Sequence, residues 1–131
     1  MGRTLGRVGE LPESMDFESF REHIQESLPH ANVRFGGIKK ETVKIVALCS
    51  GGGAEFIKNA IKADAYVTGD LKYHDAQLAK ELGVLVVDAG HFGTEEIVAD
   101  GIRDYLMNQS AESNWGITIQ SFENQCDFFF D

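Results

Sequence analysis

Three short runs of apolar, largely β-branched residues, at 43–48, 65–68 and 84–88, alternate with segments whose apolar residues recur at three- and four-residue steps. That alternation limits the fold more than any other feature of the chain. A run that is apolar at nearly every position, such as Val43-Lys-Ile-Val-Ala-Leu48, suits a strand covered on both faces. The intervening segments carry helical stripes: Phe56, Ile57, Ala60 and Ile61, then Leu71, His74, Leu78 and Leu82, then Ile97, Val98, Ile102, Tyr105 and Leu106. Strands alternating with helices over short connections form right-handed βαβ units. The pattern therefore predicts an α/β fold, a mainly parallel sheet with helices packed on it near 54–62, 71–82 and 95–107.

The flanks read less clearly. Residues 1–14 form a glycine-rich lead-in in which Leu5, Val8 and Leu11 follow no strand period. Asp16 is placed to cap a helix over 17–28, with Phe17, Phe20, Ile24 and Leu28 on one face and Pro29 closing it. A short extended stretch at 32–35 runs into a turn at Gly36 and Gly37. Gly116-Ile-Thr-Ile-Gln120 alternates like a strand at a sheet edge. The Phe128, Phe129 and Phe130 tail is expected to pack on the domain or on a neighbour. All 131 residues are expected to make one domain, with a motif-bearing core at 43–107 and a C-terminal strand and tail at 115–131.

Charge removes two classes of partner. A net charge of −9 with scattered basic residues offers no lysine- or arginine-rich face for a phosphate backbone or an anionic membrane surface. No apolar run approaches the ~18 residues of a membrane span, and the N-terminus lacks the apolar segment of a signal peptide. Cys49 and Cys126 make neither a disulfide framework nor a C-x-x-C pair, which fits a reducing cytoplasm.

In an open parallel sheet ligands sit beyond the carboxyl ends of the strands, and three loops here leave from those ends. The first carries Gly51, Gly52 and Gly53, which serve either as a tight turn or as a loop that brings backbone N–H groups onto an anion. The second carries Asp70 and, four residues on, His74. Asp70 could cap the helix; His74 is either a hydrogen-bonded member of an apolar stripe or, on the first helical turn beside a strand end with Asp70 four residues earlier, a site residue. The third runs Asp88-Ala-Gly-His-Phe-Gly-Thr-Glu-Glu96. His91 and Glu95 stand one helical turn apart, and imidazole with carboxylate suits Zn²⁺, Mn²⁺ or Fe²⁺. The competing account is a helix start capped by Thr94, with Glu95 and Glu96 favoured there by the dipole.

Four segments together resemble one family: Gly6-Arg-Val-Gly-Glu-Leu-Pro12, Val46-Ala-Leu-Cys-Ser-Gly-Gly-Gly53, Asp64-Ala-Tyr-Val-Thr-Gly-Asp-Leu-Lys-Tyr-His74 and Asp88-Ala-Gly-His-Phe-Gly-Thr-Glu95. In order and spacing they are similar to the C-terminal half of the Nif three-like proteins, the GTP cyclohydrolase I type 2-like family. The resemblance implies half of a two-lobed fold, a two-metal centre in a cleft between α/β halves, and a toroidal hexamer. It implies His91 and Glu95 as metal ligands and His74 as either the catalytic acid/base or a donor to the ligands, with Asp70 and Asp88 as candidate outer partners. The metal would be Zn, Mn, Fe or Mg, serving a metal-dependent hydrolase.

The family's remaining ligands, an adjacent His pair and an Asp, belong to an N-terminal half, and this chain has no His-His pair. The sequence thus reads as a truncated piece, one part of a split protein or a degenerate stand-alone copy. It is expected to hold metal weakly by itself and to need a separate N-terminal half for hydrolysis. The alternative implied by the resemblance is a non-catalytic oligomerisation or interaction module linked to transcriptional regulation.

Overall fold

A computed structural model describes residues 5–122 and 125–129. Its sheet has five strands, β1 (Arg7–Asp16), β2 (Arg34–Gly37), β3 (Thr42–Gly52), β4 (Ala65–Gly69) and β5 (Leu85–Asp88), in the spatial order β1-β3-β4-β5-β2. The central trio is parallel, with Val46 opposite Ala65 and Thr68 opposite Asp88, and both outer strands run antiparallel to it. The mixed α/β architecture expected from the sequence is the one observed.

Every residue of β4 and β5 is buried, as near-continuous apolar runs require when both faces are covered. Alternation along the strands divides the core in two. Ala65, Val67, Leu85 and Val87 face α1 (Phe17–Ser27), where Phe20 and Ile24 are buried. Tyr66, Val84 and Val86 lie on the other face with Ile57 and Ala79. The α1 helix starts as its sequence predicts: the Asp16 carboxylate accepts the Ser19 N–H at 2.8 Å, which also lowers its pKa.

Several expectations at the flanks are corrected. The lead-in contains β1, an edge strand whose residues 7–10 are exposed and so show no inward–outward period. Its pairing with β3 is irregular between Glu10 and Met15, around Pro12, which cannot donate to a ladder. Lys44 Nζ donates there to the Leu11 and Pro12 carbonyls at 2.6 and 3.0 Å. The expected helix at 54–62 is a 3₁₀ helix, Ala54–Asn59. Residues 115–120 form no strand: Asn114 ends the preceding helix in a left-handed conformation, and the described residues beyond it carry no regular structure.

The helix expected at 71–82 is α2 (Tyr73–Glu81). The third helix begins earlier than expected and is interrupted, as α3 (His91–Glu95) and α4 (Ile97–Ser113). Among the described elements α4 touches only α3, so its apolar stripe, Val98, Ile102 and Tyr105, is exposed rather than laid on the sheet. Phe128 and Phe129 are exposed as well; Phe130 lies outside the described residues. No described helix is long and apolar enough to cross a membrane.

Candidate metal centre

The carboxyl ends of β3, β4 and β5 meet because glycine lets their backbones close up. A Cβ on Gly69 would stand 2.5 to 2.7 Å from the Gly90 carbonyl and the His91 nitrogen, so only glycine fits between β4 and α3. The next residue, Asp70, takes a left-handed conformation with φ 58°, uncommon for a residue with a side chain but tolerated by aspartate. That turn aims its carboxylate at His91, whose Nδ1 lies 2.7 Å from Asp70 Oδ2. On the other edge of the ring, Nε2 lies 3.3 Å from Glu95 Oε2, one helical turn along. The Asp70 hydrogen bond is the main cause of a raised His91 pKa, with burial opposing it and the Glu95 charge adding to it.

The glycine-rich loop of β3 closes this group from behind. Gly51 has φ +65°, and a Cβ there would lie 2.5 Å from Glu95 Oε1 and 3.2 Å from His91 Nε2. Its N–H donates to Thr94 Oγ1 at 2.8 Å, which ties the loop to α3. Thr68 donates to the Gly51 carbonyl at 3.2 Å and Tyr66 to the Gly53 carbonyl at 2.8 Å. The Tyr66 phenol is pushed up to about 12, chiefly by burial. Asp88 works one step further back. Its buried carboxylate accepts the Leu71 and Gly90 N–H groups, each at 3.2 Å, and pairs with Arg34, so one side chain holds both site loops and the edge strand.

Asp70, Asp88, His91 and Glu95 line a common cleft of about 770 Å³ whose far wall is Val98 and Ile102 of α4 with Phe128 and Phe129. The family model for Duf34/NIF3 (NGG1p interacting factor 3) matches residues 2–127. The chain belongs to that family. A Bacillus subtilis "GTP cyclohydrolase 1 type 2 homolog" is 38% identical over 117 residues, which are 88% of this chain and 31% of that protein. The same name is carried by a Staphylococcus aureus protein 32% identical over 95% of this chain and 34% of its own length. A Bacillus cereus protein related to NIF3 superposes with a TM-score of 0.86 at 33% identity, covering 98% of this chain and 35% of that one. The chain thus spans about a third of the curated relatives it matches.

The donor set of this NIF3-family chain fits one transition-metal ion in part. Asp70 on Nδ1 fixes the ring and sets Nε2 beside Glu95; with the proton on Nδ1, Nε2 would be the free metal-binding nitrogen of a histidine oriented by a carboxylate. The space a Cβ on Gly51 would fill adjoins both donor atoms. Because Asp70 and Glu95 take opposite edges of the imidazole, the three side chains do not converge on one point. Among the described residues no group of three or more His, Cys, Asp or Glu is placed to hold a metal.

His74 is not brought into this group. It sits exposed on the first turn of α2, edge-on to Tyr73 at 5.6 Å, with Nδ1 3.4 Å from Gln77 Oε1, and it is not among the residues lining the cleft. Gly51 meets Glu95 and His91 by close approach, and its N–H is already bonded to Thr94. Two residues escaped the sequence reading. Gly69 has no role assigned from the sequence, because the close approach of α3 is not a local feature. Arg34 sits opposite Asp88 across the β2–β5 ladder, a pairing 54 positions apart that no local pattern signals.

Proposed function

We propose that this chain is the C-terminal part of a dinuclear metal-dependent hydrolase of the NIF3 family, supplying His91 Nε2 and Glu95 as ligands and Asp70 as the group that orients the imidazole. The single observation that carries the reading is the Asp70–His91–Glu95 relay against the Gly51 backbone. A divalent ion held there brings positive charge that polarises a carbonyl or phosphoryl oxygen and makes water more acidic. The chain's own part is to present one nitrogen and one carboxylate in fixed geometry at the mouth of the cleft. His74 is left without a role. The name GTP cyclohydrolase 1 type 2 homolog, carried by the relatives, makes a nucleotide the substrate class to try first.

Catalytic metal sites commonly use three protein ligands, so two donors leave this chain dependent on others. An N-terminal half, or a second copy of the chain, would supply the rest. Metal analysis and calorimetry of the chain, alone and with the N-terminal half of a relative, test the proposal. The expected outcome is weak binding alone and tight binding in the mixture, lost on His91→Ala or Glu95→Ala. Tight stoichiometric metal unaffected by those substitutions would overturn the assignment. The second reading, an assembly module, is favoured by one observation: the exposed apolar stripe of α4 beside the cleft.

A further inference from the structure

The cleft beside His91 is lined by five carboxylates, Asp70, Asp88, Glu95, Glu96 and Asp127, and among the described lining residues Arg34 is the only lysine or arginine. Most of those acids already have partners. Asp70 faces His91, Asp88 pairs with Arg34, Glu96 pairs with His30, and Asp127 accepts the Phe129 N–H at 3.1 Å. Glu95, the candidate ligand, has among the described residues only the His91 imidazole as an ion-pair partner, with Nε2 3.3 Å away. These contacts occupy most of the acids without cancelling their charge, so an oxyanion could be held only where donors are left over.

Arg34 is built to leave donors over. Its Nη2 is committed on the protein side, to the Asp88 carboxylate and to the Leu71 carbonyl at 3.2 Å. The N–H groups of Nε and Nη1 have no partner among the described residues, although a guanidinium carries five donors in a rigid plane. The Arg34 side chain is 70% exposed while its Asp88 partner is 8% exposed. A buried carboxylate thus anchors one corner of the guanidinium and turns the rest outward. Arg34 also lines a smaller neighbouring pocket of about 250 Å³, whose lining includes Phe35, Leu71, Tyr73, Ala76 and Val86. It stands where the two cavities adjoin.

We propose that Arg34 is the anchor for an oxyanion, a phosphate ester or a carboxylate, on a small organic ligand that occupies the cleft beside His91 and Glu95. The ligand's apolar body lies against the hydrophobic walls on either side of Arg34, and its charged oxygens take the Nε and Nη1 donors. Charge-assisted hydrogen bonds of this kind are short and roughly twice as strong as neutral ones. This rests on the reading of the cleft as a substrate site but not on the presence of metal, because Arg34 and its anchors come entirely from this chain.

The test is nitrogen-detected NMR on the isotope-labelled chain, titrated with phenyl phosphate, with benzoate and with the uncharged benzyl alcohol, in chelator and again with Mg²⁺. The expected result in chelator is a shift of the Arg34 Nε–H signal with one or both anions and none with the alcohol. Which anion binds more tightly identifies the source of the oxyanion. Arg34→Gln should weaken that binding on the order of tenfold to a hundredfold. Since the glutamine strands the buried Asp88 carboxylate, Arg34→Lys serves beside it: it keeps a cation on Asp88 but loses the outward donors, and should weaken binding several-fold in a folded chain. Binding in chelator together with failure of His91 and Glu95 to take metal would remove the metal reading and leave this one standing. An unmoved Arg34 signal in the wild-type chain, or equal affinity in wild type and Arg34→Lys, would overturn the anchor.

Discussion

Gly51 is the residue whose replacement should report most directly on the site. Any side chain there must both occupy a left-handed backbone and displace the Glu95 carboxylate, which a Cβ would approach to 2.5 Å. Gly51→Ala should cost about 1–3 kcal/mol of stability from the backbone alone and weaken metal binding by moving Glu95; thermal unfolding and calorimetry read the two effects separately. Asp70→Asn keeps the size of the side chain but removes the charge that orients His91, and should weaken metal affinity ~10–100-fold. Tyr66 supplies a pH dependence. Its phenol ionises at 10.0 in the unfolded chain and at about 12 in the folded one. Below the lower value both states hold the proton; between the two only the unfolded chain loses it, so stability falls as pH rises through that window. Urea unfolding on either side of the window should show this, and Tyr66→Phe should flatten the profile while costing about 1 kcal/mol for the lost bond to Gly53.

The elements differ in how plainly the sequence announces them, and burial explains the difference. Strands β4 and β5 were legible because both faces are covered, which favours apolar residues at nearly every position; β3 shares the pattern over 43–48 although Leu48 is exposed. Strand β1 was not, because an exposed edge needs no period, and Gly116-Ile-Thr-Ile-Gln120 alternates without any partner strand to pair with. The His91–Glu95 pair was legible because a helical turn sets it locally. The Asp70–His91 contact and the Arg34–Asp88 pair were not, because they depend on which strands adjoin and in what register. The closeness of β4 to α3 is a tertiary fact of the same kind. Gly69→Ala would force the end of β4 away from the Gly90 backbone, where neither neighbour can yield by turning a side chain. Overpacking of that sort typically costs about 1–3 kcal/mol, and here it should also break the 2.7 Å Asp70–His91 contact. Loss of chemical-shift coupling between those two side chains, in a chain that still folds, is the expected signature.

At the scale of the whole molecule, the feature that a single copy leaves unexplained is α4. Its seventeen residues, Ile97–Ser113, leave the body of the domain after α3, and they carry Val98, Ile102 and Tyr105 at helical spacing with exposures of 59%, 53% and 64%. Phe128 and Phe129, 92% and 88% exposed, share the cleft with the first two. A contiguous apolar surface of this kind on one protein marks an interaction site. Identical copies can satisfy it by placing stripe against stripe, since an isologous contact needs one self-complementary patch. The chain should therefore self-associate through α4. Sedimentation equilibrium should show a species heavier than the 14.5 kDa monomer, and Val98→Asp combined with Ile102→Asp should return it to monomer with unchanged circular dichroism, because neither side chain supports the core. The association would also bear on the metal, because a copy covering the stripe would lie beside the cleft lined by His91 and Glu95. If it contributes donors there, binding and association are linked, and metal affinity should rise with protein concentration across the range in which the chain assembles. A wild-type chain that stays monomeric at high concentration would rule out the second copy as the partner of α4.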